Sequence, residues 1–164
     1  MKRLIFLVLF PTLLSIMLFS CSEKEPSLSA DDISKKIESA VELDEGYHSV
    51  NEKYFDYYFK YNGDSIRSDT NEFVIRVSNS QSSENEFGVI KATSGKAQSV
   101  ENACREYLDE RKNAYLDAKA SYSPDEYEKY ANAKVIRVGN TVIYFILSES
   151  DAKKAESAIS DLIK

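Results

Sequence analysis

The run Thr141-Val142-Ile143-Tyr144-Phe145-Ile146-Leu147 constrains the fold of this chain more than any other feature. A strand built from it carries apolar side chains on both faces, so it belongs in the interior of a sheet covered on both sides. Gly139-Asn140 just before it is a tight hairpin signal, and Lys134 to Val138 supplies the antiparallel partner.

Two further strands lie upstream. Phe73, Ile75 and Val77 alternate with Glu72, Val74 and Arg76, and Glu86 to Ala92 returns after the polar Asn79–Asn85 loop. Helical spacing surrounds them. Ser29 caps a helix over 30–42, with Asp31 and Asp32 in its positive first turn and Ile33, Ile37, Ala40 and Val41 on one face. A short helix spans Val50 to Phe59, and Tyr61-Asn62-Gly63-Asp64 is a turn. The long helix, about Lys96 to Lys119, has Val100, Cys104, Leu108 and Tyr115 along one stripe. Ser123-Pro124 opens one or two turns, and Ser148 or Ser150 caps a final helix to Lys164.

This order predicts an α+β fold: N-terminal helices, then a ββα-ββα arrangement that reads as a weak internal duplication. Consecutive strands usually pair, so the expectation is a four-stranded antiparallel sheet with helices packed on it. The long and final helices are expected on one face, and the N-terminal helices at an end or on the opposite face.

The start of the chain reads differently. Lys2 and Arg3 precede an uncharged, almost wholly apolar stretch from Leu4 to Phe19, and the small Ser20 stands before Cys21. That is the pattern of a secretory signal. Leu18-Phe19-Ser20-Cys21 resembles the lipobox of bacterial lipoproteins, in which the cysteine thiol takes a diacylglyceryl group and a peptidase cuts before it. The resemblance implies cleavage between Ser20 and Cys21, with Cys21 as the site of lipid attachment. Two acyl chains, at about 0.8 kcal/mol per buried methylene, would hold the protein stably at a membrane. The expected organisation is therefore a signal peptide over 1–20, a lipidated cysteine and flexible tether over 21–30, and one domain over 31–164.

Composition narrows the partners. The chain carries 21 basic and 27 acidic side chains, a net of −6, and loss of Lys2 and Arg3 leaves 19 against 27, a net of −8. An acidic body is unsuited to nucleic acid, whose phosphates need a basic stripe. With Cys21 lipidated, Cys104 is left without an internal disulfide partner.

The arrangement is similar to lipoproteins of Gram-positive bacteria that carry domain of unknown function 4358, over roughly Asp31 to Lys164. The residues that carry the likeness are the lipobox, the aromatic stretch Tyr54-Phe55-Asp56-Tyr57-Tyr58, and the strand pair followed by a long helix. Further along come Tyr122-Ser123-Pro124-Asp125-Glu126-Tyr127, Asn132-Ala133-Lys134-Val135, the Gly139-Asn140 hairpin and the closing helix. The likeness implies export and lipid anchoring at the extracytoplasmic face of the cell membrane. It implies no activity and transfers no functional residues.

No motif marks a catalytic, metal or cofactor site. His48, the single histidine, has no triad or zinc partners around it and reads as a loop residue. Cys104 falls on the apolar stripe of the long helix, where a buried, inert thiol is expected. Asn62-Gly63-Asp64 and Ser68 to Glu72 lack the alternating acids of a calcium loop. The eleven tyrosines are unusual, and Tyr54, Tyr57, Tyr58 and Tyr61 crowd one region. They are either staples between short helices and the sheet or a contact surface for protein or sugar.

The leading expectation is a membrane-anchored binding or adaptor module for a protein or cell-wall partner. A histidine-independent carboxylate enzyme acting on cell-wall sugars is the first alternative. It would need a cleft holding two carboxylates, one with a raised pKa. An accessory subunit of a membrane complex is the second.

Overall fold

The computed structural model describes residues 26–41, 45–80, 84–118 and 124–162. Ser20, Cys21 and the signal segment lie outside these residues. Five strands form one antiparallel sheet: β1 (Tyr47–Ser49), β4 (Thr70–Ser78), β5 (Glu86–Ala92), β7 (Thr141–Ile146) and β6 (Lys134–Val138), in that spatial order. A separate two-stranded hairpin pairs β2 (Lys60–Tyr61) with β3 (Asp64–Ser65). Its turn has positive φ at both Asn62 (55°) and Gly63 (88°), as the tightest right-twisted hairpin loop requires.

The sheet has one strand more than the four expected. β1 is three residues long, too short for a period-two pattern to register, and polar at His48 and Ser49. It forms an edge by pairing with the far end of β4, Tyr47 against Ser78 and Ser49 against Arg76. His48 therefore sits on an edge strand and not in a loop.

All six residues of β7 are buried, because it runs between β5 and β6 under cover on both faces. Val142, Tyr144 and Ile146 join one apolar layer with Phe55, Phe59, Cys104 and Tyr107. Ile143 and Phe145 join another with Ile33, Ile37, Ala155 and Ile159. Thus α2 (Glu52–Tyr58) and α3 (Ala97–Ala118) cover one face, while α1 (Ala30–Ala40) and α5 (Glu149–Ala158) cover the other. α4 (Pro124–Ala131) packs along α3.

The long and final helices are consequently on opposite faces, not on one. This excludes a structural duplication of the two ββα units. β4-β5 and β6-β7 occupy mirrored places in the sheet, and β5 runs antiparallel to β7. A rotation that exchanges the hairpins with strand directions reversed keeps each helix on its original side. Because α3 and α5 lie on different sides, no rotation superposes the units; only their element order repeats.

Local signals set the helix starts. Ser29, Asn51 and Ser148 each accept a hydrogen bond from the backbone N–H three residues on, at Asp32, Tyr54 and Asp151. Contact with the domain begins before α1. Pro26 is buried, Leu28 packs on the α1/α5 layer, and Lys91 Nζ donates to the Leu28 carbonyl (3.1 Å). Glu72 accepts from the Ala30 N–H (3.0 Å), placing a carboxylate at the positive end of α1. Among the described residues no helix is long and apolar enough to cross a membrane.

Candidate functional site

Strand alternation puts Glu86, the first residue of β5, on the same face as Gly88 and Ile90, the face α3 covers. A carboxyl group is thereby carried into the core, and Glu86 is only 2% exposed. Three tyrosines are arranged around it. Tyr107 of α3 donates to its two oxygens at 2.9 and 3.0 Å, and Tyr144 of β7 donates to Oε1. Tyr54 of α2 stands 2.9 Å from the Tyr107 hydroxyl. With the Tyr107 proton directed at Glu86, Tyr54 is the donor in that pair, so a chain of hydroxyls ends on the carboxyl group.

Gly88 makes this arrangement fit. It faces Tyr144 across the β5/β7 ladder, and a Cβ at position 88 would lie 2.1 Å from the Tyr144 ring. The tyrosine occupies the space a side chain would fill. Burial pushes the Glu86 carboxyl above its ordinary value, opposed by the Tyr144 hydrogen bond and the Arg111 charge. Burial likewise pushes the Tyr54 hydroxyl up to about 12, with the Glu86 charge adding to the effect.

Glu86 lines a cleft of about 390 Å³. Glu84, Arg111 and Tyr54 also line it, Val77 and Ile146 give it apolar wall, and His48 stands at the β1 edge. Arg111 lies one helical turn beyond Tyr107 on α3, which brings both side chains to the same end of the sheet. Its Nη2 pairs with Glu84 Oε2, and the Tyr130 hydroxyl of α4 donates to that same oxygen. The cleft thus holds two carboxylates in unlike settings. Glu84 is paired with a guanidinium; Glu86 is enclosed by neutral hydroxyls.

Of the four tyrosines of the aromatic region, three are contiguous: the Tyr58 ring lies 4.5 Å from that of Tyr54 and 4.7 Å from that of Tyr57. Tyr54 lines the cleft and, like Tyr58 and Tyr61, packs against the α2/α3 layer. Tyr57 is 67% exposed, with Lys60 Nζ 5.2 Å above its ring. Phe55 stacks on Phe73 at 4.2 Å, and the Phe59 ring lies 4.5 Å from that of Tyr107. His48 Nδ1 lies 2.9 Å from Asn79 Oδ1. Cys104 is fully buried, and burial pushes its thiol far up. Among the described residues no group of three His, Cys, Asp or Glu side chains is placed to hold a metal ion.

Sequence reading did not single out Glu84, Glu86, Tyr107, Arg111 or Tyr144. One signal was available. A strand under cover on both faces that starts with glutamate and places glycine two residues on must bury an acid beside a vacant Cβ position.

A sheet covered on both faces, with an enclosed carboxyl group opening into a cleft at one end, defines a compact class of three-layer α+β domain. The chain belongs to the family described as domain of unknown function (DUF4358), whose family model matches residues 40–147. That segment contains every residue lining the cleft. No curated protein and no solved structure matches the chain.

Proposed function

We propose that the protein is a ligand-binding module of the extracytoplasmic membrane face, held there by lipid on Cys21, and that the Glu86–Arg111 cleft is its binding site. The observation that carries the binding role is the cleft itself. It joins apolar wall to fixed polar groups, the usual composition of a small-molecule site. The lipobox and the apolar run before it support the anchor and the address.

The cleft supports binding better than hydrolysis. A glycosidase needs an acid and a base or nucleophile, both free to exchange protons with substrate. Glu84 is committed to Arg111 and Tyr130. The enzyme reading keeps one specific point in its favour: Glu84 and Glu86 share the cleft, and burial raises the pKa of Glu86. Release of reducing sugar from cell-wall polymer, abolished by Glu86→Gln, would establish the enzyme instead.

The binding role is tested by native mass spectrometry of gently purified protein. A small molecule retained by the wild type and lost from Tyr54→Ala and Glu86→Gln is the expected result. Equal retention by all three proteins would remove the cleft from consideration. The anchor is tested separately: labelled palmitate is expected to enter the wild type and not Cys21→Ser, and an unlabelled wild type refutes it.

A further inference from the structure

Resting on the reading of this cleft as a binding site, we infer that its ligand presents an organic ammonium group to Glu86. Glu84 and Arg111 neutralise each other. Glu86 is the remaining acid, and its hydrogen-bond partners are the hydroxyls of Tyr107 and Tyr144. Donors on both sides, with Tyr54 feeding Tyr107 from behind, suit the ionised carboxylate. Arg111 acts on it only at longer range; among the described residues no cation lies within hydrogen-bonding distance to offset the loss of its hydration, and a ligand cation would supply that offset.

An anionic ligand meets the opposite conditions. It would have to take Arg111 from Glu84 while standing beside Glu86. The Arg111 Nε is buried, so it offers no separate docking point. The acidic chain, at a net of −6, also draws cations and repels anions at long range. A bare metal ion is unsuited, because among the described residues no third metal-binding side chain joins the two glutamates. An alkylammonium fits the remainder of the cavity. Val77 and Ile146 offer surface for a short carbon stem, and Tyr54 adds an aromatic ring to the lining.

The test is isothermal titration of the purified full chain with n-butylamine, putrescine, succinate and inorganic phosphate, at low and at physiological salt. Saturable binding of the two amines is expected, weakened about tenfold or more by Glu86→Gln. Tyr54→Phe, which keeps the ring, should bind butylamine more nearly as the wild type does. Amine binding equal in wild type and Glu86→Gln, and erased by salt, would be mere attraction to an acidic surface and overturns the inference. Binding of succinate or phosphate in an Arg111-dependent manner, without amine binding, overturns the ammonium assignment while leaving the cleft as a site. Failure of all four probes overturns the ammonium assignment, and equal retention of any native small molecule by the cleft variants ends the reading of the cleft as well.

Discussion

Gly88 and Tyr144 are a complementary pair, a missing side chain on one strand and a large ring on the next. Gly88→Ala forces the ring to move, because the added carbon would sit 2.1 Å from it. The expected cost is about 1–3 kcal/mol, read from the urea midpoint at unchanged slope. The Tyr144 hydroxyl should leave Glu86 at the same time. Glu86 itself makes a pH-dependent contribution. Its folded pKa is above the ordinary value of 4.5, so the folded chain holds this proton more tightly than the unfolded chain. Stability from this group is fully present below that ordinary value and is lost as pH rises through the folded one. The groups around it are Tyr107, Tyr144, Arg111 and Glu84. Melting temperatures measured across pH should therefore show Glu86→Gln gaining on the wild type as pH increases; a constant difference would mean that Glu86 does not titrate as described.

At the scale of elements, α2 is joined to the body by its aromatic face. Phe55 is fully buried and stacks on both Phe59 (5.0 Å) and Phe73 (4.2 Å). Phe55→Ala should cost about 3–5 kcal/mol in chemical denaturation. It should also loosen Tyr54, one residue away on the same helix and a wall of the cleft. Most elements of this fold were legible because caps and periodicity agree: Ser29, Ser148 and the alternation of residues 72–77 each point to the structure found. The misses have physical causes. β1 is too short to carry a pattern, and its pairing is decided by Arg76 to Ser78 of β4, about thirty residues later. The side taken by α5 is absent from its own sequence, since an amphipathic helix packs equally well on either face of a two-faced strand. The site was hidden for a related reason. Its groups come from α2, β5, α3 and β7, and no spacing along the chain brings Tyr54, Glu86, Arg111 and Tyr144 together.

At the scale of the whole molecule, the α1/α5 layer is half of the core and closes the sheet from behind. A chain ending at Leu147 would uncover Phe87, Val89, Ile143 and Phe145. Such a truncation is expected to bind a hydrophobic dye and to lose cooperative unfolding; retention of a sharp transition would mean that α1 alone suffices as cover. The matched family segment, residues 40–147, contains the sheet and the cleft-side helices but neither α5 nor most of α1.

The docking of Leu28 and Ala30 beside Lys91 and Glu72 has a consequence for posture. Those contacts are at one end of β4 and β5, whereas Glu86 is at the other. Five residue steps along the strand lead from Glu86 to Lys91, roughly 17 Å at about 3.4 Å per step. Under the anchoring proposed above, the mouth of the cleft would open at the end of the domain opposite the one its leash enters.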